Sequence, residues 1–418
     1  MEKLESARPE VRMPELGDRL FRALREAGMV EVPDGFSVAL ADQELPHDVV
    51  AELDAFVRVF EAVTTRASWQ QTVTASVAEI ARDRRSEVCF FSAWDFHLPP
   101  GSPSRWQLIE FNDNGSGLLF AALVNRLFYE LSGLAGRPDL APPPGFADFS
   151  ERVAALVEGE ARRFFGGLPD GLFLILDDAE SLERGRFRGE LVLLRDLLRR
   201  RGRRAEISSP ADTRWDGRRL VAAEQAVSFI VNRATDFFWE GADFPPLRAA
   251  YEAGSVYVAP NPFTYATRSD KRLLEFLSRS DWDDELGIRP EERAILRAHV
   301  PETRLVREDD VDELARRRDE LVFKPIHGFA GRGLIESSRV GRSRLRRLLR
   351  HDEGYVAQQR VPKACLRSGS DDTPLWTDLR LWAYRGERLL LSGRASRRPD
   401  SLDLAAPGGW LPTFARVR

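Results

Sequence analysis

The stretch Val322-Phe-Lys-Pro-Ile-His-Gly-Phe-Ala-Gly-Arg-Gly-Leu334 constrains this chain more than any other. Leu321-Val322-Phe323 is a short apolar run whose β-branched and aromatic side chains suit a strand. Lys324 closes that run, so the pattern predicts its ammonium at a strand end. Pro325 stops the ladder, and Gly328, Gly331 and Gly333 follow. Leu334-Ile335 is predicted to open a second strand. A glycine loop lets backbone N–H groups close on a phosphate, and a nearby lysine adds charge. The same letters also fit a β-hairpin with a glycine-rich turn and a solvated lysine.

The loop is not a Walker A motif, because its lysine precedes the glycines instead of following them into a helix. At 418 residues the chain is too long for one ordinary core. Its 43% hydrophobic and 31% charged residues describe a soluble globular protein. A net charge of −4 argues against a general nucleic-acid binder. The two cysteines, Cys89 and Cys365, make neither a disulfide framework nor a zinc site of usual spacing, and a reducing cytoplasm fits them. No apolar run approaches the ~20 residues of a membrane helix, and the Glu- and Arg-rich start does not read as a signal peptide.

Residues 1–86 read as helical. Leu16, Leu20 and Leu24 recur at helical steps, as do Leu53, Phe56, Val57, Phe60 and Val63. Glu87-Val-Cys-Phe-Phe-Ser-Ala-Trp-Asp95 then reads as a strand ending in an acid. Trp106-Gln-Leu-Ile-Glu-Phe-Asn112 is a second strand, followed by the loop Asp113-Asn-Gly-Ser-Gly and an apolar helix over Leu118–Leu131. Simple alternation puts Leu108, Glu110 and Asn112 on one face. Polar groups inside an apolar strand need a partner, because burying them unpaired is costly. Magnesium takes such oxygen ligands. Asp95, on the neighbouring strand, would be the third. The alternative is the polar outer face of a hairpin.

Farther on, Leu172-Phe-Leu-Ile-Leu-Asp177, a helix through Leu191–Leu198 and a strand over Arg204–Ser208 form a β-α-β pattern, which predicts a small parallel sheet. Asp177 reads as a strand-end cap or a catalytic acid. Ala226–Val231 is another strand, and Asn232-Arg233 closes it, pointing Arg233 toward a cleft. Thr267–Leu277 reads as a helix with Lys271 in its first turn, where an anion would offset the unfavourable dipole. Asp309–Arg318 and Arg339–Arg350 read as helices. Tyr355-Val-Ala-Gln-Gln-Arg-Val361 is a strand that exits into Pro362. Asp378, Arg380 and Trp382 alternate on one face of the next strand, and Arg394 sits on its hairpin partner. His97 and His327 read as hydrogen-bonding or loop residues, with His327 within reach of a bound phosphate.

Together these motifs resemble the ATP-grasp superfamily, and more narrowly its circularly permuted branch, which includes the synthetase domain of glutathionylspermidine synthase. Asp95 and Glu110-Phe-Asn112 come first here. Lys271, Lys324, the glycine loop, the Tyr355–Val361 hinge and Asp378-Leu-Arg380 follow in the usual order. The resemblance runs from about Val88 to the C-terminus. It implies an α/β (α+β) fold with metal-binding strands in 87–145, a small preATP-grasp-like domain in 146–262, ATP-grasp lobes in 263–418 and the N-terminal helices outside its motifs.

The resemblance also implies roles. Lys271 and Lys324 would contact ATP phosphates. His327, Gly328, Gly331, Arg332 and Gly333 would close over them. Gln358, Gln359 and Val361 would line the adenine pocket. Asp95, Glu110 and Asn112 would hold Mg²⁺, and Lys324, Arg380 and Arg394 would serve catalysis, the two arginines gripping an acceptor carboxylate or the transferred phosphoryl group. The implied activity is an ATP-dependent carboxylate–amine ligase with amino-acid, peptide or polyamine-like substrates. A nucleotide binder without turnover and a phosphotransferase remain as alternatives. Two positions depart from the pattern: Ala93 stands where the glutathionylspermidine synthase group has arginine, and Gln359 where the hinge often carries glutamate.

Overall fold

The computed structural model describes residues 13–29, 37–87, 90–185, 187–328, 333–335, 340–350, 354–368, 373–399 and 404–417. In chain order the strands are β1 (Gln43–Leu45), β2 (Ser92–His97), β3 (Gln107–Asn112), β4 (Leu172–Leu176), β5 (Ala205–Ser208), β6 (Arg214–Trp215), β7 (Leu220–Ala222), β8 (Gln225–Asn232) and β9 (Tyr257–Ala259). They continue as β10 (Thr303–Leu305), β11 (Leu321–Pro325), β12 (Tyr355–Gln359), β13 (Ala364–Ser368), β14 (Thr373–Tyr384), β15 (Glu387–Ser396), β16 (Gly409–Leu411) and β17 (Thr413–Ala415).

One large sheet of six strands runs β16-β15-β14-β2-β3, with β13 on the outer part of β14, and every pairing in it is antiparallel. Strands from both ends of the chain therefore meet in one layer. The helix His47–Thr64 covers one face of this sheet. Its residues Val49, Leu53, Phe56, Val57, Phe60 and Val63 repeat at helical steps and are buried. The Phe56 ring lies 6.0 Å from Phe96 and 5.4 Å from Trp106, and Phe60 lies 5.1 Å from Phe111. Strand β1 pairs in parallel with β17, Gln43 opposite Thr413. The N-terminal helices are thus built into the core of the sheet.

Acid placement differs from the sequence expectation. Strand β2 begins at Ser92, and Asp95 lies inside it instead of at its end. The chain turns just before, where Phe91 takes φ +53°. Residues 88–89 lie outside the described residues.

The second layer is the small parallel sheet that the β-α-β spacing predicts. Strands β5-β4-β8-β9 are parallel, and β7 and β6 extend the order in antiparallel sense. The helix Arg188–Arg200 connects β4 to β5. A third, three-stranded antiparallel sheet, β10-β12-β11, carries the helices Val311–Arg316 and Arg342–Leu348 over a cluster that includes Val311, Leu314, Phe323, Leu345 and Ala357. Both helices are shorter than their sequence patterns. Where a strand is expected to open at Leu334-Ile335, Ile335 bridges Phe323, and residues 336–339 lie outside the described residues. The helix expected from Thr267 is broken as well: Tyr265–Ser269 is a π-helical turn, Asp270 is extended, and the helix resumes at Leu273. Lys271 therefore sits in the break before that helix, not in its first turn. Among the described residues, no helix is long and apolar enough to cross a membrane.

Candidate active site

Register builds the site's floor. Arg380 on β14 opposes Asp95 on β2, and Asp95 opposes Glu110 on β3. One pleat along, Trp382 opposes Ala93 and Ala93 opposes Asn112; on the other side Asp378 opposes Arg394. Directly opposed residues share a face, so Asp378, Arg380, Arg394, Asp95, Glu110 and Asn112 share this one. Leu108 does not share it. A register shift between Asp95 and Phe96 places Leu108 opposite Phe96. Leu108 packs with Trp106 and Phe111 in the apolar cluster on the other face. The extra residue at Ile109-Glu110 is a β-bulge, a device that re-aims a strand locally.

The charges on this face are paired. Arg380 donates from Nε and Nη2 to the two Asp95 oxygens at 2.6 and 2.7 Å. Arg394 reaches Asp95 Oδ2 at 2.9 Å and donates to both oxygens of Asp378 at 2.9 Å. Burial opposes the Asp95 charge, yet the Arg380 and Arg394 guanidiniums hold its carboxyl well below the usual carboxylate range. Arg380, Asp95, Arg394 and Asp378 form one ionic unit, with Asp95 oriented by two arginines.

Two lysines reach this face from different elements. Lys324, on β11, donates to the Ile109 carbonyl at 3.1 Å and to Gln358 Oε1 at 2.6 Å. Gln358 in turn donates to Thr303 Oγ1 at 3.3 Å. Burial pulls Lys324 down to about 8, with Glu110 working the other way and Lys271 adding repulsion. Lys271 donates to the Gly328 carbonyl, and its Nζ stands 3.9 Å from Glu110 Oε1. The two ammonium groups thus converge on the bulge residues Ile109 and Glu110. A small cleft opens beside them, lined by Glu110, Asn112, Asp113, Thr235, Lys271 and Gly328 among others.

The other expected residues divide. His327 shares a 2.8 Å hydrogen bond between its Nδ1 and the Tyr265 hydroxyl, next to Gly328. Gly333 takes φ +74°, and a Cβ there would lie 2.9 Å from Pro325 Cγ. Gly331 and Arg332 lie outside the described residues. Gln358 and Gln359 point to opposite sides of β12: Gln358 is buried on Lys324, whereas Gln359 is exposed. Val361 is buried, and its carbonyl accepts a 2.8 Å hydrogen bond from His97 Nδ1. Burial pulls His97 down to about 4, helped by the Lys363 charge, so its ring is neutral near pH 7. Arg233 does not face the cleft. It is buried against Glu190, 3.3 Å away, and Glu190 also accepts from the N–H groups of Gly117 and Leu119 at the start of the helix Leu118–Leu131. Burial pushes Asp177 up to about 6, with Arg233 opposing.

Sequence reasoning missed several lining residues. The sequence pattern places Asp113 in a plain loop. It is buried, and one of its carboxylate oxygens has no hydrogen-bond partner. Burial pushes it up to about 6. Phe237 stacks flat on Tyr265 at 4.1 Å, bringing the segment after β8 to the cleft. An acid directly after a polar strand end was the available signal for Asp113; nothing local marks Phe237.

No protein-family model matches the sequence, and no curated protein matches it. Among solved structures, a glutathione synthetase-like effector from Globodera pallida, in its apo form, aligns with a TM-score of 0.62 at 10% identity over 96% of each chain. A putative gamma-glutamylcysteine synthetase from Methylobacillus flagellatus KT aligns with a TM-score of 0.47 at 12% identity over 86% of each chain. The chain has an α/β fold, which it shares with the glutathione synthetase-like effector.

The donor chemistry of this cleft is hard oxygen: the Glu110 carboxylate and the Asn112 amide, with the Asp95 carboxylate on the neighbouring strand. Among the described residues no group of three His, Cys, Asp or Glu side chains is poised for a metal. Two carboxylates and an amide suit Mg²⁺, which uses one or two carboxylates and completes its shell with water and substrate phosphates.

Proposed function

We propose that the protein is an ATP-dependent carboxylate–amine ligase that forms an amide through an acyl phosphate and releases ADP and phosphate. One observation carries this reading: Lys324 and Lys271, from separate elements, bring two ammonium groups to the same bulge as Glu110. Two cations beside hard oxygen donors suit a polyphosphate with its metal. Phosphoryl transfer depends chiefly on positioning and charge neutralisation.

In this reading Lys271 and Lys324 hold the phosphates, and Glu110 and Asn112, with Asp95, would hold Mg²⁺, whose charge would neutralise that of the phosphates. Arg380 and Arg394 fix the orientation of Asp95 and offer guanidinium edges to an acceptor carboxylate. His327, Gly328, Arg332 and the glycines 331 and 333 cover the phosphates and exclude water. The adenine lies along the exit of β12, against Val361 and Gln358. A substrate carboxylate oxygen bonds to the γ-phosphorus and ADP leaves. The amine nitrogen then bonds to the acyl carbon, phosphate leaves, and the protons of the amine pass to solvent. Strands β2 and β3 precede the lysines in the chain yet lie in one sheet with β14 and β15, which is the reason to read the order as a circular permutation.

The test is calorimetric titration of ATP with Mg²⁺ into the wild type, Lys324→Ala and Glu110→Ala, followed by assays of ADP and phosphate release with acid–amine pairs. Magnesium-dependent binding lost in both variants is the expected result. Absence of binding in the wild type sinks the reading. Binding without ADP release under any pair leaves a nucleotide binder, and a stable phosphorylated product makes it a phosphotransferase.

A further inference from the structure

Two buried polar atoms in the cleft lack a partner at hydrogen-bonding geometry, Asp113 Oδ2 and Ser269 Oγ, although the Ser269 hydroxyl lies near enough to favour the Asp113 charge. Asp113 is only 4% exposed. A buried carboxylate oxygen without a donor is costly and is seldom left so without a purpose. Neither nearby cation supplies the donor. Lys271 is committed to the Gly328 carbonyl, and the Arg268 guanidinium is engaged with Glu61 and, at 3.4 Å, Thr64 Oγ1. The recess is completed by the Asn112 amide and by the stacked rings of Phe237 and Tyr265. Strand β3 ends at Asn112, so the next residue leaves the pleat and turns its carboxylate into the recess.

We infer that the recess formed by Asp113, Ser269, Asn112, Phe237 and Tyr265 is the subsite that recognises the protonated amino group of the amine substrate, an inference that rests on the ligase reading. An alkylammonium brings three N–H donors, enough for the free carboxylate oxygen and the free hydroxyl together. Aromatic faces favour a cation beside them. A substrate carboxylate is repelled here, because both Glu110 and Asp113 line the space. The carboxylate substrate is therefore left to the arginine side of the sheet, and the two substrates approach the phosphates from different walls.

The test titrates n-butylammonium chloride, and n-butanol as its neutral counterpart, into the full chain by calorimetry. The wild type is expected to take the ammonium and not the alcohol. Asp113→Asn should weaken the ammonium about tenfold or more, the size of a lost hydrogen bond to a charged group. Phe237→Leu should weaken it about threefold. Ser269→Ala, which leaves the carboxylate in place, guards against a folding defect in Asp113→Asn, and thermal melts of each variant are compared. No ammonium binding by the wild type, equal uptake of butanol, or unchanged binding in Asp113→Asn each overturns the inference. ATP with Mg²⁺ is titrated into the same proteins. If Asp113→Asn loses that binding while keeping the ammonium, Asp113 is a metal ligand and the inference falls. If the wild type binds the ammonium but never ATP with Mg²⁺, the ligase reading falls and the cation recess stands.

Discussion

Lys324 donates its ammonium to the carbonyl of Ile109, 3.1 Å away, and so ties the three-stranded lobe to the bulge of the large sheet. The contact exists because the bulge turns Ile109 out of the regular ladder. Lys324 is nearly free of solvent yet has no carboxylate directly on it. A buried cation held only by a carbonyl and an amide is poised for an anion.

Nucleotide affinity should therefore depend on pH through Lys324. Its ammonium form is the one that attracts phosphate, and burial has lowered it to about 8. Binding of ATP with Mg²⁺ should be flat below that value and weaken as the pH rises through it. Titrations between about pH 6.5 and 9.5 check this, and Lys324→Met should bind weakly with no such step.

The same burial works against stability. A lysine whose folded value lies below its unfolded one penalises folding while it is charged, and the penalty is relieved as pH rises from about 8 towards 10.5. Lys324→Met should fold at least as stably as the wild type at pH 7, as urea denaturation would show. A clear loss of stability would mean that its hydrogen bonds to Ile109 and Gln358 outweigh the desolvation of the charge.

Asp95→Asn should be strongly destabilising, by about 3–5 kcal/mol, because it strands Arg380 without its carboxylate. Arg394 retains Asp378. The folded Asp95 value is depressed, so its contribution is complete above the unfolded value of 3.8 and is lost as pH falls through the folded one. The gap between wild type and variant in denaturant melts should be wide at pH 7 and narrow in strong acid.

Gly115→Ala should not fold stably. Gly115 takes φ +58°, and a Cβ there would lie 1.9 Å from the Phe91 carbonyl oxygen. Backbone against backbone leaves nothing to rotate away, so a loss of about 3 kcal/mol or more is expected. A melting temperature close to wild type would contradict the packing of this turn.

Glu190→Gln should weaken the layer joining the parallel sheet to the site. Glu190 caps the helix Leu118–Leu131 through Gly117 and Leu119 and holds the buried Arg233. The neutral amide leaves Arg233 unpaired, at a cost of about 3 kcal/mol. Urea midpoints of Glu190→Gln and Arg233→Met, with the double variant, measure the coupling, which vanishes if the pair is incidental.

Much of this protein was legible locally. The strand that ends in Lys324, the β-α-β pattern around Leu172–Leu176 and the alternation of Asp378 with Arg380 are short-range signals, fixed by period and by proline and glycine stops. They are enough to predict the α/β class. Other readings failed where a local pattern met a tertiary constraint. Leu108 was read onto the polar face by strict alternation, and the bulge reversed it. The helix expected at Thr267 breaks because Asp270 turns extended and pairs with Arg272. Arg233 was aimed at a cleft by its strand end, but Glu190, distant in sequence, holds it inside.

The sequence by itself determined which residue types stand at strand ends and which glycines can turn, because those depend only on neighbours within a few residues. The tertiary structure decided which charges meet. Asp95 faces two arginines, Lys324 finds the Ile109 carbonyl, and Asp113 lies beside Ser269 without a donor. Each of these follows from strand register and layer packing between segments far apart in the chain, and register is settled only when the whole sheet closes around its core.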